Sequence, residues 1–296
     1  MLVLKGKRHR HWLLLCNAVL AGLCSWYFIL SFFAEEALRL ECPGFLLFCR
    51  SQAFLESSSL FIRAYELVAL DPLGWVWSNQ LLCLAVCFCA FVHVRRDFGF
   101  LRVLGYAAVG FLGAISVALS LFLIDVLVFP QKLKTSPKGI GVVPFLSFLI
   151  AFVSILVLPV SVHEQDKTAF ACALIVLHLI LILGMLAPDC CRVVSHQTLF
   201  LTISVFSFVL HVYALIQASH QGLSLQALLD AFWLNNCQTS IASDALFATI
   251  ALLVYVGRRI QASSLSYVLV LALILSPASV ISCILAFPKR LHKVKD

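Results

Sequence analysis

Three ionisable side chains fall well inside long apolar stretches of this 296-residue chain, Asp244, His211 and His178, while His93 and Asp125 lie near the ends of theirs. An ionisable group in hydrocarbon is costly, so by default such residues mark ion or proton pathways. His178 sits near the middle of the run Ala169–Ala187, His211 lies in Leu199–Ala218, and Asp244 enters about one turn into Ser240–Gly257. At about 1.5 Å per residue, His211 and Asp244 fall within roughly 5 Å of one depth. One chemistry for the pair is a proton or cation relay, with Asp244 carrying the charge and His211 as its partner. The other is structural: Asp244 caps a helix start or neutralises a neighbour, and each histidine donates one hydrogen bond across a bundle. The structural chemistry is preferred, because it asks for less.

Other chemistries need patterns that the sequence lacks. A haem between His178 and His211 would have its axial ligands, but no second histidine pair accompanies them, so no cofactor is expected. The nine histidines are scattered, and the cysteine spacings make no zinc site, so no metal is expected either. There is no Gly-rich phosphate loop. Asp125 reads near the outer end of its run and Asp244 toward the inner side, which leaves no paired carboxylates at one depth. These absences argue for a non-enzymatic role. Of the twelve cysteines, Cys42 and Cys49 share one loop. A disulfide between them and two free thiols both fit the spacing.

The elements that must position these residues are membrane helices. Apolar residues make up 62% of the chain and charged residues 12%, where a soluble domain carries about a quarter charged. Mean hydropathy is +1.03. Long unbroken apolar runs, as opposed to alternating ones, select helices over a barrel. The net charge of +7 comes from short basic clusters at the ends of runs. That pattern belongs to a membrane protein and excludes a nucleic-acid partner, which would need a basic face on a folded module. The partners expected are the lipid bilayer and other membrane proteins.

Eight runs are long enough to cross a bilayer of about 30 Å. Trp12–Phe33 follows the basic leader Lys5, Lys7, Arg8 and Arg10 and reads as a retained signal anchor. Ala53–Leu70 reads as an amphipathic helix at the interface. Gly74–Val94, Leu101–Phe129, Val142–Val162, Ala169–Ala187, Leu199–Ala218, Ser240–Gly257 and Leu265–Phe287 complete the set. The fold class is therefore an all-α polytopic bundle of eight spans forming a single transmembrane domain, 1–296, with both termini cytoplasmic. Eight spans place Arg95, Arg96, Arg102, Lys167 and the basic C-terminus inside. They place Arg39, Arg50, Arg63, Lys132, Lys134, Lys138, Arg192, Arg258 and Arg259 outside. The charge bias has the expected sign but is small.

Two segments, 12–133 and 199–291, share an order of features. In the first, Asp71-Pro72 and Trp77-Ser78-Asn79 open a run that ends at Arg95-Arg96, and the next run closes on Phe129-Pro130. In the second, Phe232-Trp233-Leu234-Asn235 precedes Ser243-Asp244, that run ends at Arg258-Arg259, and the last closes on Phe287-Pro288. With two spans between them, three-helix units would face opposite ways, as in the inverted repeats of transporters. In the second segment Phe232, Asn235, Asp244, Leu246, Arg258, Arg259 and Pro277 follow the order of a bacterial three-span membrane family known only as a domain of unknown function, which the segment resembles. Asn236 and Ala245 depart from that pattern, at positions where the family has Pro and Leu. The resemblance implies topology and no activity. The function expected is passage of a small solute or lipid. The alternatives are a non-catalytic scaffold and, less favoured, an intramembrane enzyme.

Overall fold

The computed structural model describes residues 2–39, 58–95, 98–129, 139–257 and 262–287. Twelve helices are present among them: α1 (Leu2–Arg39), α2 (Ser58–Leu70), α3 (Pro72–Val94), α4 (Phe100–Leu112), α5 (Ile115–Val128), α6 (Val142–His163), α7 (Lys167–Leu186), α8 (His196–Ser219), α9 (Leu225–Phe232), α10 (Asn236–Val256), α11 (Ala262–Leu275) and α12 (Pro277–Ala286). Two short strands, β1 (Gly139–Gly141) and β2 (Arg192–Ser195), pair antiparallel beneath α6 and α8.

Short polar residues set where the helices begin. Asp71 accepts the Gly74 N–H at 2.6 Å with Pro72 at the first helical position of α3. Asp166, Ser195, Ser224 and Asn235 start α7, α8, α9 and α10 in the same way. Each side-chain oxygen satisfies one of the N–H groups that a helix start leaves unpaired. Asn235 starts α10 a full turn before the expected Ser240, so Asp244 lies two turns into the helix.

Cross-helix contacts fix the direction of every helix. Arg10 donates to the Gly257 carbonyl at 3.4 Å, while Asn236 donates to Glu35 at 2.7 Å at the opposite end. Helices α1 and α10 are therefore antiparallel. Gln238 donates to the Gly74 carbonyl at 3.0 Å, so α3 and α10 start at the same end and run parallel. The end holding Arg10 and Gly257 is the proximal face, and the end holding Glu35 and Gly74 is the distal face. At the proximal face Asp189 accepts from the Gly141 N–H at 2.9 Å and pairs with His93 at 3.1 Å, tying the β1–β2 pair to the foot of α3. Helices α1, α6 and α8 rise from proximal to distal, and α3, α7 and α10 descend. These six are long and apolar enough to cross a membrane.

The remaining two apolar runs do not cross. Tyr106 of α4 donates to Asp125 of α5, Arg102 pairs with the same carboxylate at 3.6 Å, and the Arg102 guanidinium stacks over Phe129 at 5.3 Å. In a single straight span those residues would be tens of ångströms apart. Instead α4 rises about 20 Å, turns at Gly113-Ala114 and returns as α5. A Cβ on Gly113 would meet the Val109 carbonyl oxygen at 2.6 Å, so the reversal demands glycine there. The second case is built alike. Helix α11 ends at Ser276, which has φ +87°, and α12 packs back against α11. Ser204 of α8 donates to the Ser279 carbonyl at 2.8 Å and Ser282 donates to Cys87 at 3.2 Å, so α12 descends.

Both halves thus have one order: rising helix, short helix, descending helix, hairpin. Because each hairpin returns to its own face, the halves run in the same direction, in contrast to the opposite directions that eight full spans imply. Helix α1 packs on α10 and α5, and α8 packs on α3 and α12, so each rising helix touches the other half's descending helix. Asp125 consequently lies at the proximal face, as do Phe129 and Gly257, while Lys167 is distal.

The core centres on α3, which is 94% buried over its most apolar window. On α10, Ala242, Ala245, Ala248 and Ala251 are all at most 2% exposed and let neighbouring helices approach closely. Small residues do this work in lipid, where solvent gives no hydrophobic drive between helices. By contrast α1 shows Trp12, Val19, Leu23 and Tyr27 to its surroundings, each more than half exposed.

Candidate functional site

Asp244 is 6% exposed and reaches across to the first hairpin. Its Oδ1 accepts the Ser116 N–H at 2.8 Å and its Oδ2 the Ile115 N–H at 3.0 Å. These are the first two amides of α5, a helix start with no side-chain cap of its own. The carboxylate faces the positive end of the α5 dipole and pairs two N–H groups that would otherwise be unsatisfied at depth. Irregular backbone at such depth is tolerated only where protein or a cavity covers it. Here a side chain on another helix provides the cover.

A cavity of about 240 Å³ lies beside this junction, lined by Gly110, Phe111, Gly113 and Ile115 of the hairpin. Helices α1, α2, α3, α7 and α10 supply the rest of its wall, including Ala64, Ala85, Leu181 and Ile241. Its polar groups are few: Asp244, Ser240, Ser25, Tyr65 and His178. Tyr65 Oη and His178 Nε2 share a hydrogen bond at 3.3 Å, and His178 Nδ1 contacts the Leu174 carbonyl at 2.8 Å. Phe61 and Phe111 pack edge-on to the same imidazole. Ser240 donates to the Ser25 carbonyl at 3.0 Å. At the rim, Trp26, Phe61 and Leu112 are 45%, 48% and 78% exposed, so the mouth opens through the side of the bundle at mid-depth.

The three ionisable residues singled out in the sequence separate into two places. Asp244 and His178 line the one cavity. His211 does not join them: it is buried between α8 and α3, where its Nδ1 is hydrogen bonded to Gln80 Nε2. Asp244 and His211 do lie at similar depth, about 12 Å from the distal ends of their helices, but beside different hairpins. Cys42 and Cys49 lie outside the described residues. The amphipathic helix begins at Ser58 and, instead of lying flat, packs Ala64, Val68 and Ala69 into the bundle over the hairpin tip. Tyr65 and Gly113 went unnoticed in the sequence. Leu101–Phe129 held the signal for Gly113, since at about 1.5 Å per residue the run is over 40 Å long, against the roughly 30 Å it would have to cross.

Among the described residues no group of three or more His, Cys, Asp or Glu side chains could hold a metal ion. No family model, curated protein or solved structure matches the chain.

Proposed function

We propose that the protein is a membrane-embedded carrier or passage for a lipid-like amphiphile, admitted through the side of the bundle at the first hairpin. The observation that carries this reading is the cavity at the broken Gly113–Ala114 backbone, apolar over most of its wall, polar at Asp244 and His178, and open at mid-depth. Its volume is below the roughly 300–1,000 Å³ of sites for drug-sized ligands and suits a length of acyl chain. Asp244 acts as the group that positions the hairpin, in place of a mobile charge carrier. The proximal face is cytoplasmic in this reading. Among the described residues Lys5, Lys7, Arg8, Arg10, Arg95, Arg102 and Arg192 belong to that end, against Arg39, Arg63 and Lys167 at the distal end.

The test is transbilayer movement of a fluorescent phospholipid in reconstituted vesicles, wild type against Ile241→Trp, which fills the cavity without adding a charge. Movement in the wild type and its loss in a folded Ile241→Trp support the reading. Equal movement in both, or none in the wild type, would leave scaffold as the account.

A further inference from the structure

Helix α9 links the distal end of α8 to the start of α10, and its surface divides three ways. Successive residues turn by about 100°. Ala231 and Phe232 are buried and Leu228 is partly so, which gives one side to the bundle. That side is firmly held. Trp77 of α3 donates its indole N–H to the Leu228 carbonyl at 2.9 Å and packs edge-on against Phe232. Thr239 of α10 donates to the Phe232 carbonyl at 3.1 Å. Opposite stand Gln226 and Asp230, both exposed, with the Gln226 amide donating to the carboxylate at 2.8 Å. Between the two sides run Leu225, Leu229 and Trp233, four residues apart and 77%, 45% and 65% exposed.

A helix on a protein surface in water carries polar groups along such a flank. Large apolar side chains beside a polar edge are the pattern of a helix seated in the membrane interface, where tryptophan is also enriched. The placement agrees. Helices α3, α6, α7, α8 and α10 have 20–24 residues, so their distal ends stand at the edge of a hydrocarbon core of about 30 Å. Trp77, which holds α9, is five residues or about 7 Å from the distal start of α3. Trp233 packs edge-on against Phe28 of α1 at 6.3 Å, next to the exposed Tyr27. The apolar flank of α9 therefore continues the surface that α1 turns outward. The one charged residue within α9 is Asp230.

We propose that α9 is an interfacial anchor seated in the distal leaflet. Leu225, Leu229 and Trp233 enter the boundary between acyl chains and headgroups, while Gln226 and Asp230 face headgroups and water. The partner is a zwitterionic lipid surface, because the helix brings no cation to an anionic one. The interfacial role expected of Ala53–Leu70, whose helix packs into the bundle, falls instead to α9. No α9 residue lines the cavity at Asp244, so the anchor stands apart from any passage of lipid there.

The test is spin-label accessibility of the full chain in vesicles of phosphatidylcholine. Leu225→Cys, Gln226→Cys, Leu229→Cys and Asp230→Cys are labelled one at a time, in a background whose other reactive cysteines are replaced by serine. All four side chains are exposed, so the labels leave the bundle intact. Each label is relaxed by oxygen, which concentrates in lipid, and by a neutral nickel chelate, which stays in water. Labels at Leu225 and Leu229 meet oxygen more than nickel, and labels at Gln226 and Asp230 meet nickel more than oxygen. A preference for nickel at all four positions puts α9 in water and overturns the anchor. Labels at Leu225 and Leu229 shielded from both agents also overturn it, in favour of a second copy or another protein on that flank. Adding anionic phosphatidylglycerol leaves the pattern unchanged. An oxygen preference that arises only with the anionic lipid overturns the assignment to a zwitterionic surface.

Discussion

At the first hairpin, Asp244 accepts two backbone amides at 2.8 and 3.0 Å, and the turn is made by a glycine whose Cβ would press on the Val109 carbonyl. At the second, a serine with φ +87° makes the turn, no side chain caps the returning helix, and a neutral Gln80–His211 pair stands nearby. The same backbone reversal at depth is thus secured once by a buried charge and once by uncharged groups. The cost of breaking a helix inside a bundle is therefore local. It falls on the first two or three amides of the returning helix, and any acceptor that reaches them will serve.

The largest test of this contrast is Asp244→Asn. An amide can accept one of the two N–H groups but turns its own N–H₂ toward the other. It should lower stability by about 2–4 kcal/mol in chemical unfolding in detergent. Gln80→Leu, at the matching place, should cost less, about 1–2 kcal/mol, because it leaves one buried nitrogen of His211 without its partner. Equal losses would erase the distinction between the halves. Next in size are the turns. Gly113→Ala forces a Cβ against a backbone carbonyl and should cost about 1–3 kcal/mol. Ser276→Gly should stabilise by about 1 kcal/mol by relieving a positive φ. The smallest effects belong to the struts. Asn17 donates to Ser120 and to the Phe247 carbonyl, both at 3.0 Å, and Ser204 donates to the Ser279 carbonyl. Removing either should cost about 0.6–1.5 kcal/mol, the range of interhelical hydrogen bonds in membranes, with Asn17→Ala the larger.

Much of this architecture was legible from residue types. Unbroken apolar runs gave the helices, and the buried Asp244 and His211 sat at matched depth as their spacing implied. Asp71 and Asn235, which stand ahead of corresponding apolar runs in the two similar segments, are the residues that cap α3 and α10. What hid the topology was that a re-entrant hairpin and a single span share one hydropathy signature. Leu101–Phe129 and Leu265–Phe287 read as spans because both are continuously apolar; only the excess length of Leu101–Phe129 marks a reversal, and Leu265–Phe287 has a length that fits a crossing helix. Reversing those two runs strengthens the charge asymmetry among the described residues, where Lys5, Lys7, Arg8, Arg10, Arg95, Arg102 and Arg192 belong to the proximal end and Arg39, Arg63 and Lys167 to the distal end. The separation of Asp244 from His211 was hidden for another reason. Depth follows from residue counting, but which hairpin a side chain faces depends on helix order around the bundle, and no local pattern encodes that.

Helices α4 and α5 enter and leave by one face, and single-cysteine labelling checks this without reference to stability. In a background whose exposed cysteines are replaced by serine, Phe100→Cys, Phe129→Cys and Gln221→Cys would be probed in sealed vesicles with a membrane-impermeant maleimide. The structure predicts that Phe100→Cys and Phe129→Cys react from the same side and Gln221→Cys from the other. Phe100→Cys and Gln221→Cys reacting from one side, with Phe129→Cys on the opposite side, would restore eight full spans and contradict the account.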